Sequence, residues 1–258
     1  SGGNQNFLLG DSAGAAVNTG DGNVAIGFEA GNDITTGSYN TIMGWKAGDK
    51  ISTGGSNTAI GDGAIGADTL GQKSVAVGSN ALNQQNFTTA TDAYNVAMGY
   101  NAGQGITTGT NNTLIGGLAG DALTTGSYNV AVGFEALSTE DGHGNNVAVG
   151  NRALKTLNAG AAGLNVAVGD DAGTALTTGL YNTLVGALAG TALTDADTNV
   201  AFGNAAIRAD TLGSKTTAIG YQALTAQNFT TATDSNNTAV GYNAGLSVTT
   251  GTYNTFIG

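Results

Sequence analysis

The 258-residue chain has no cysteine, no proline, one histidine, one tryptophan and seven basic residues. Without cysteine there is no disulfide framework, and the redox compartment leaves no trace in the sequence. Without proline, nearly every backbone N–H can be used in a hydrogen-bonded ladder. A lone His143 lacks the companions that a catalytic triad or a zinc site needs, so it is expected on a solvated turn. Seven bases against 18 acids give a net charge of −11, which argues against nucleic acid and anionic membrane surfaces as partners. There is no apolar run long enough to span a bilayer, and no signal-peptide or lipidation pattern, so membrane insertion is not expected. Ser1 is accordingly expected to begin a mature product or a fragment.

What is abundant is glycine, at 44 residues. Collagen is excluded because glycine does not fall at every third position and proline is absent. Disorder is excluded because the 40% of hydrophobic residues sit in register. That register is set by a five-residue phrase, Asn-Val-Ala-Ile-Gly at Asn23–Gly27, which recurs fifteen times. Successive closing glycines, from Gly10 to Gly258, lie mostly 17 residues apart, with intervals of 21, 19 and 21 as exceptions. A short period running end to end marks a solenoid. The fold class expected is all-β, a parallel β-solenoid (β-roll) of about fifteen coils in one domain over residues 1–258.

Aligned phrases define one coil. Position one is Asn except at Ser74 and Thr216, and these amides are expected to stack along the axis as an Asn ladder. Positions two and four are mostly β-branched and share one face of a short strand, whereas position three, usually Ala, points the other way. One face fills the coil and the other meets a neighbouring chain. Three residues after each glycine comes Ala, as at Ala30 and Ala47, a buried site with room for one methyl group. An aliphatic residue followed by Thr-Thr-Gly, as at Ile34–Gly37, reads as a second short strand closed by a glycine corner. Seventeen residues enclose little core, so lateral partners are the natural remedy.

Copies such as Asn57–Gly61, Asn129–Gly133 and Asn237–Gly241 resemble the head repeat of trimeric autotransporter adhesins (YadA-like heads), a repeat also found in phage tail fibres. The resemblance covers the whole chain, although the coil here is longer than is usual in that family. It implies a left-handed parallel β-roll, three chains side by side and an adhesive role outside the cell. The function expected is a structural, adhesive extracellular rod at a cell surface or in a virion fibre. Alternatives are a tail-fibre shaft segment, a self-stacking filament subunit and, on its Thr-Thr-Gly rows, an ice-binding solenoid. No clustered acid, base or nucleophile points to an enzyme, and no cofactor or metal site is expected.

A longer period lies above the first. Ala67–Gly71 returns as Ala209–Gly213 and Gln85–Asp92 as Gln227–Asp234, both 142 residues on. An eight-coil block is thus duplicated, residues 27–168 and an incomplete 169–258. Both ends fall on a bare phrase, which leaves two explanations open: a window of a longer fibre, or subunits stacking end to end.

The candidate contact residues are aromatic. Phe28, Trp45, Tyr100, Phe134, Tyr221 and Tyr242 follow phrase glycines, and a second column, including Tyr39 and Tyr253, precedes phrase asparagines. They read as gap-filling rings between coils or chains, or as a stacking surface for a glycan or host protein. The enlarged coils at 79–95 and 221–237 are expected to place Phe87 and Phe229 at loop tips or inter-chain seams. The contact set is therefore Phe87, Phe229, Trp45, Tyr100 and Tyr242.

Overall fold

The computed structural model describes residues 3–258, and none of these forms a helix. The chain divides into two compact units, Ser1–Tyr128 and Asn129–Gly258. The first contains seven three-residue strands: Phe7–Leu9, Val24–Ile26, Thr41–Met43, Thr58–Ile60, Val75–Val77, Val96–Met98 and Thr113–Ile115. The second contains eight, from Val130–Val132 and Val147–Val149 to Thr238–Val240 and Thr255–Ile257. Within each unit neighbouring strands pair in parallel with phrase positions aligned, as in Val24↔Thr41, Ala25↔Ile42 and Ile26↔Met43. Each phrase is therefore one rung, and the chain is a parallel β-solenoid of about fifteen coils.

The structure decides which strand face is the inside. Position three, as at Ala25, Ala59 and Ala76, is fully buried in every rung but the first and last, where Leu8 and Phe256 are partly exposed, and the mostly β-branched positions two and four point outward. The lumen is narrow: the Ala three residues beyond the glycine, such as Ala30 and Ala47, is also buried in every coil after the first. Only a methyl group fits unless space is made elsewhere. Ile42 stands at position three because Gly31 and Gly48 flank it, where an added Cβ would lie 3.1 and 3.0 Å from its Cδ1. Where those glycine positions become Ile65 and Leu82, both buried, the residue between them shrinks to Ala76. Core volume is thus balanced across adjacent coils.

Two backbone devices close each coil. The phrase glycine is left-handed (Gly27, φ 132°), and a Cβ there would lie 2.5 Å from the carbonyl oxygen of Gly44 on the next rung. Stacked backbones leave no room for a side chain, so the position is glycine throughout. The residue before each phrase Asn is also left-handed, for example Tyr39 at φ 61° and Tyr253 at φ 56°, and these rings are thrown into solvent.

The expected Asn ladder is present within each unit. Asn40 donates its backbone N–H and side-chain amide to Asn23 Oδ1 at 3.0 and 3.1 Å, and its amide also reaches Gly54 O at 3.0 Å. These amides are fully buried with their bonds satisfied, as burial requires. The expected second strand is not formed at Ile34–Gly37. There the N–H groups of Thr35, Thr36 and Gly37 converge on one carbonyl, Ser52 O, at 2.9, 3.3 and 3.2 Å, which makes a bend instead of a ladder. Among the described residues, a second strand occurs only beside the enlarged coils, as Gly71–Gln72 with Thr91–Asp92 and Gly213–Ser214 with Thr233–Asp234.

Candidate functional site

The aliphatic residue seven positions beyond each phrase glycine (Ile34, Ile51, Ile106) is replaced by Asp68 and Gln85 in one pair of coils. Both are fully buried. Asp68 Oδ1 accepts from Gly71 N at 3.0 Å and Phe87 N at 3.2 Å, and its Oδ2 accepts from Gln85 Nε2 at 2.6 Å. Gln85 also donates to Ser74 Oγ at 3.1 Å, and its Oε1 accepts from Asn95 Nδ2 at 2.9 Å. Ser74 breaks the Asn ladder, and Gln85 restores the missing acceptor. The arrangement recurs with Asp210, Gln227 and Thr216, where Gln227 bonds Asp210 Oδ2 at 2.6 Å, Thr216 Oγ1 at 2.9 Å and Asn237 Nδ2 at 2.8 Å. Both exceptions in the Asn column thus have one structural cause.

These clasps change the reading of two candidates. Phe87 and Phe229 are 4% and 6% exposed, so neither stands at a loop tip. The backbone N–H of each is tied to the buried carboxylate, which draws the enlarged coil inward and folds the ring into the core. Glu140 takes the same position in its coil, accepting from His143 N at 3.1 Å and Ala159 N at 3.2 Å. His143 lies on a partly exposed turn, with Nδ1 3.1 Å from Glu140 Oε1. Glu140, Asp141 and His143 offer ligand atoms within 4.8 Å of one another, but both Glu140 oxygens already hold the backbone.

The outer surface is of another kind. In the first unit, positions two and four read Val24/Ile26, Thr41/Met43, Thr58/Ile60, Val75/Val77, Val96/Met98 and Thr113/Ile115. All are half-buried or exposed, and none is charged. The second unit carries a similar row, in which Phe202 is 56% exposed. Position four is apolar in each of these rungs, and position two is Val or Thr. Beside the row stand Tyr100, Tyr242 (71% exposed) and Trp45 (56%), with Phe28 stacked on Trp45 at 4.3 Å and Tyr221 on Tyr242 at 5.2 Å.

Trp45 also borders a notch of about 260 Å³ walled by Asp49, Asp62 and Asn83. The notch exists because one coil carries glycine twice, at Gly63 and Gly66, where neighbouring coils carry side chains. A Cβ at Gly66 would lie 2.7 Å from Asn83 Nδ2, the amide that closes the far wall by donating to Gly63 O at 2.8 Å. Lys46, which also lines the notch, is held by Glu29 at 3.1 Å, and Lys50 by Asp33 at 3.2 Å and by the notch's own Asp49 at 3.6 Å. Burial raises the Asp49 carboxyl above its ordinary range, with Lys50 and Lys46 opposing. Among the described residues, the exposed Asp62 carboxylate makes no hydrogen bond or ion pair. Sequence reasoning missed the notch because it is built from absent side chains, although the two glycines show once the coils are written in register. No protein-family model, no curated protein and no solved structure matches this chain.

Proposed function

We propose that the chain is a non-enzymatic structural and adhesive element, displayed outside a cell or on a virion and assembled from three copies side by side. The observation that supports this most is the outward row of β-branched residues. A strand face left to water normally alternates toward polar residues. Here the solvent face carries mostly Val or Thr at position two and a large apolar side chain at position four, and the inner face is mostly alanine, with Ile42, Leu114 and Leu184 as larger buried exceptions. Covering the row would remove this apolar area from water at roughly 25 cal/mol per Å². It would also supply the burial that a 17-residue coil cannot provide for itself. The resemblance to YadA-like heads points to the same lateral arrangement and to adhesion.

Attachment is tested with fluorescently labelled protein on cultured cells and on abiotic surfaces. Saturable retention is expected. The double variant V77E/M98E places charges on the row and is expected to lose retention together with assembly. Absence of retention across a broad panel of surfaces would contradict the adhesive reading.

A further inference from the structure

We infer that the notch beside Trp45 binds a single neutral pyranose ring, a terminal sugar of a glycan. The inference deepens the adhesive reading and rests on it for its biological purpose, while its chemistry stands on the site alone. A pyranose presents an apolar C–H face and a rim of hydroxyl groups. Its recognition needs a flat ring for the face and acceptors at the edge. Trp45 supplies the ring, and Phe28, stacked behind it at 4.3 Å and 22°, covers one side and fixes its plane. Asp62 follows Trp45 in the same column one coil later, with its carboxylate unpartnered and available to accept charge-assisted bonds from hydroxyls. Asn83 spends one amide hydrogen on Gly63 O and keeps a donor and an acceptor for a ligand.

The same features restrict the ligand. Asp49 and Asp62 disfavour sialic and uronic acids, and Lys46, which also lines the notch, is neutralised by Glu29 at 3.1 Å. One indole without further aromatic walls is not the cage that holds a quaternary ammonium group. A volume of about 260 Å³ lies below the roughly 300–1,000 Å³ of drug-sized pockets, so one ring fits and an extended ligand must continue outside.

The solenoid does not require these residues. At the positions 142 residues on, Trp45, Asp49, Asp62, Gly63 and Gly66 become Ala187, Thr191, Asn204, Ala205 and Arg208. The coil forms there as well, with the strands Thr183–Val185 and Val200–Phe202 paired in register. Trp45 and the two glycines are therefore specific to the first copy, and the fold supplies no reason for them.

Trp45 is the only tryptophan, so its fluorescence reports this site directly. The full chain is titrated with methyl glycosides of glucose, galactose, mannose and N-acetylglucosamine, alongside N-acetylneuraminic acid and choline. A saturable emission change in the millimolar range with at least one neutral glycoside is expected. G66R fills the notch with the residue that the second copy carries, keeps the reporter and is expected to abolish the response. D62N is expected to weaken it several-fold. No response to any neutral glycoside, an equal response in G66R, or a response confined to choline or the sialic acid would overturn the proposal. The two readings fail separately. Cell retention that survives G66R while the titration is flat removes the sugar site and leaves adhesion. A saturable titration without cell retention does the reverse.

Discussion

Residues 61–95 and their counterparts at 203–237 are two copies of one stretch, and they have diverged unevenly. Inside, the clasp is kept: Asp68, Gln85 and Phe87 are matched by Asp210, Gln227 and Phe229 with the same bonds, and only Ser74 changes, to the hydroxyl-bearing Thr216, which gains a bond to Ser235. Ile42 between Gly31 and Gly48 is likewise matched by Leu184 between Gly173 and Gly190. Outside, Asp62, Gly63 and Gly66 are replaced in the second copy by Asn204, Ala205 and Arg208. A close-packed lumen and a buried carboxylate tolerate few alternatives, because each change leaves a cavity or an unsatisfied group. The surface is free to differ, and what it carries in one copy only reflects use and not folding.

The largest effects should be equal in the two copies. Ile42→Ala and Leu184→Ala should each cost about 2–5 kcal/mol in chemical denaturation, since flanking glycines cannot refill the space. A marked inequality would show that the two lumens are packed differently. Next, Gln85→Leu and Gln227→Leu should each cost about 2–3 kcal/mol by leaving a buried carboxylate oxygen and a ladder amide without partners. The triple change D68I/S74N/Q85I restores the ordinary aliphatic and Asn columns and should recover much of that loss, as replacing whole buried polar groups often does. If Q85L alone unfolds no more easily than wild type, the clasp is not a structural necessity.

Smaller effects should separate the copies. Gly66→Arg should cost no more than about 1 kcal/mol, because the atom nearest an added Cβ is the movable Asn83 amide at 2.7 Å, with the Gly63 carbonyl oxygen next at 3.1 Å. Smallest is the pH dependence of Asp49. Burial raises its carboxyl in the folded chain, so the folded state is favoured at acid pH and loses that advantage as pH rises through the raised value. D49N should flatten this slope in thermal melts, whereas Thr191→Asn in the second copy should leave the profile unchanged.

Much of the solenoid could be read directly from the residues. The closing glycines gave the period, the phrase gave the strands, and Asn23 and its equivalents gave the ladder. Which face is inside could not be read, because Val-Ala-Ile alternates equally well either way. The burial of the Ala30 column together with the position-three residues decides it: that lumen takes a methyl group, or a larger side chain only where flanking glycines make room. Phe87 was misplaced because Asn-Phe-Thr-Thr has the composition of a loop. Its burial depends on Asp68, 19 residues earlier and one coil away. Trp45 stood out in the sequence, but its notch depends on what Gly66 lacks.

The central claim is that the outward β-branched row is an interface between copies of this chain. Sedimentation velocity across a wide concentration range tests it most directly. A three-chain species that V77E/M98E converts to folded monomer is expected. A monomer at every concentration, or a trimer indifferent to charges on the row, would contradict it.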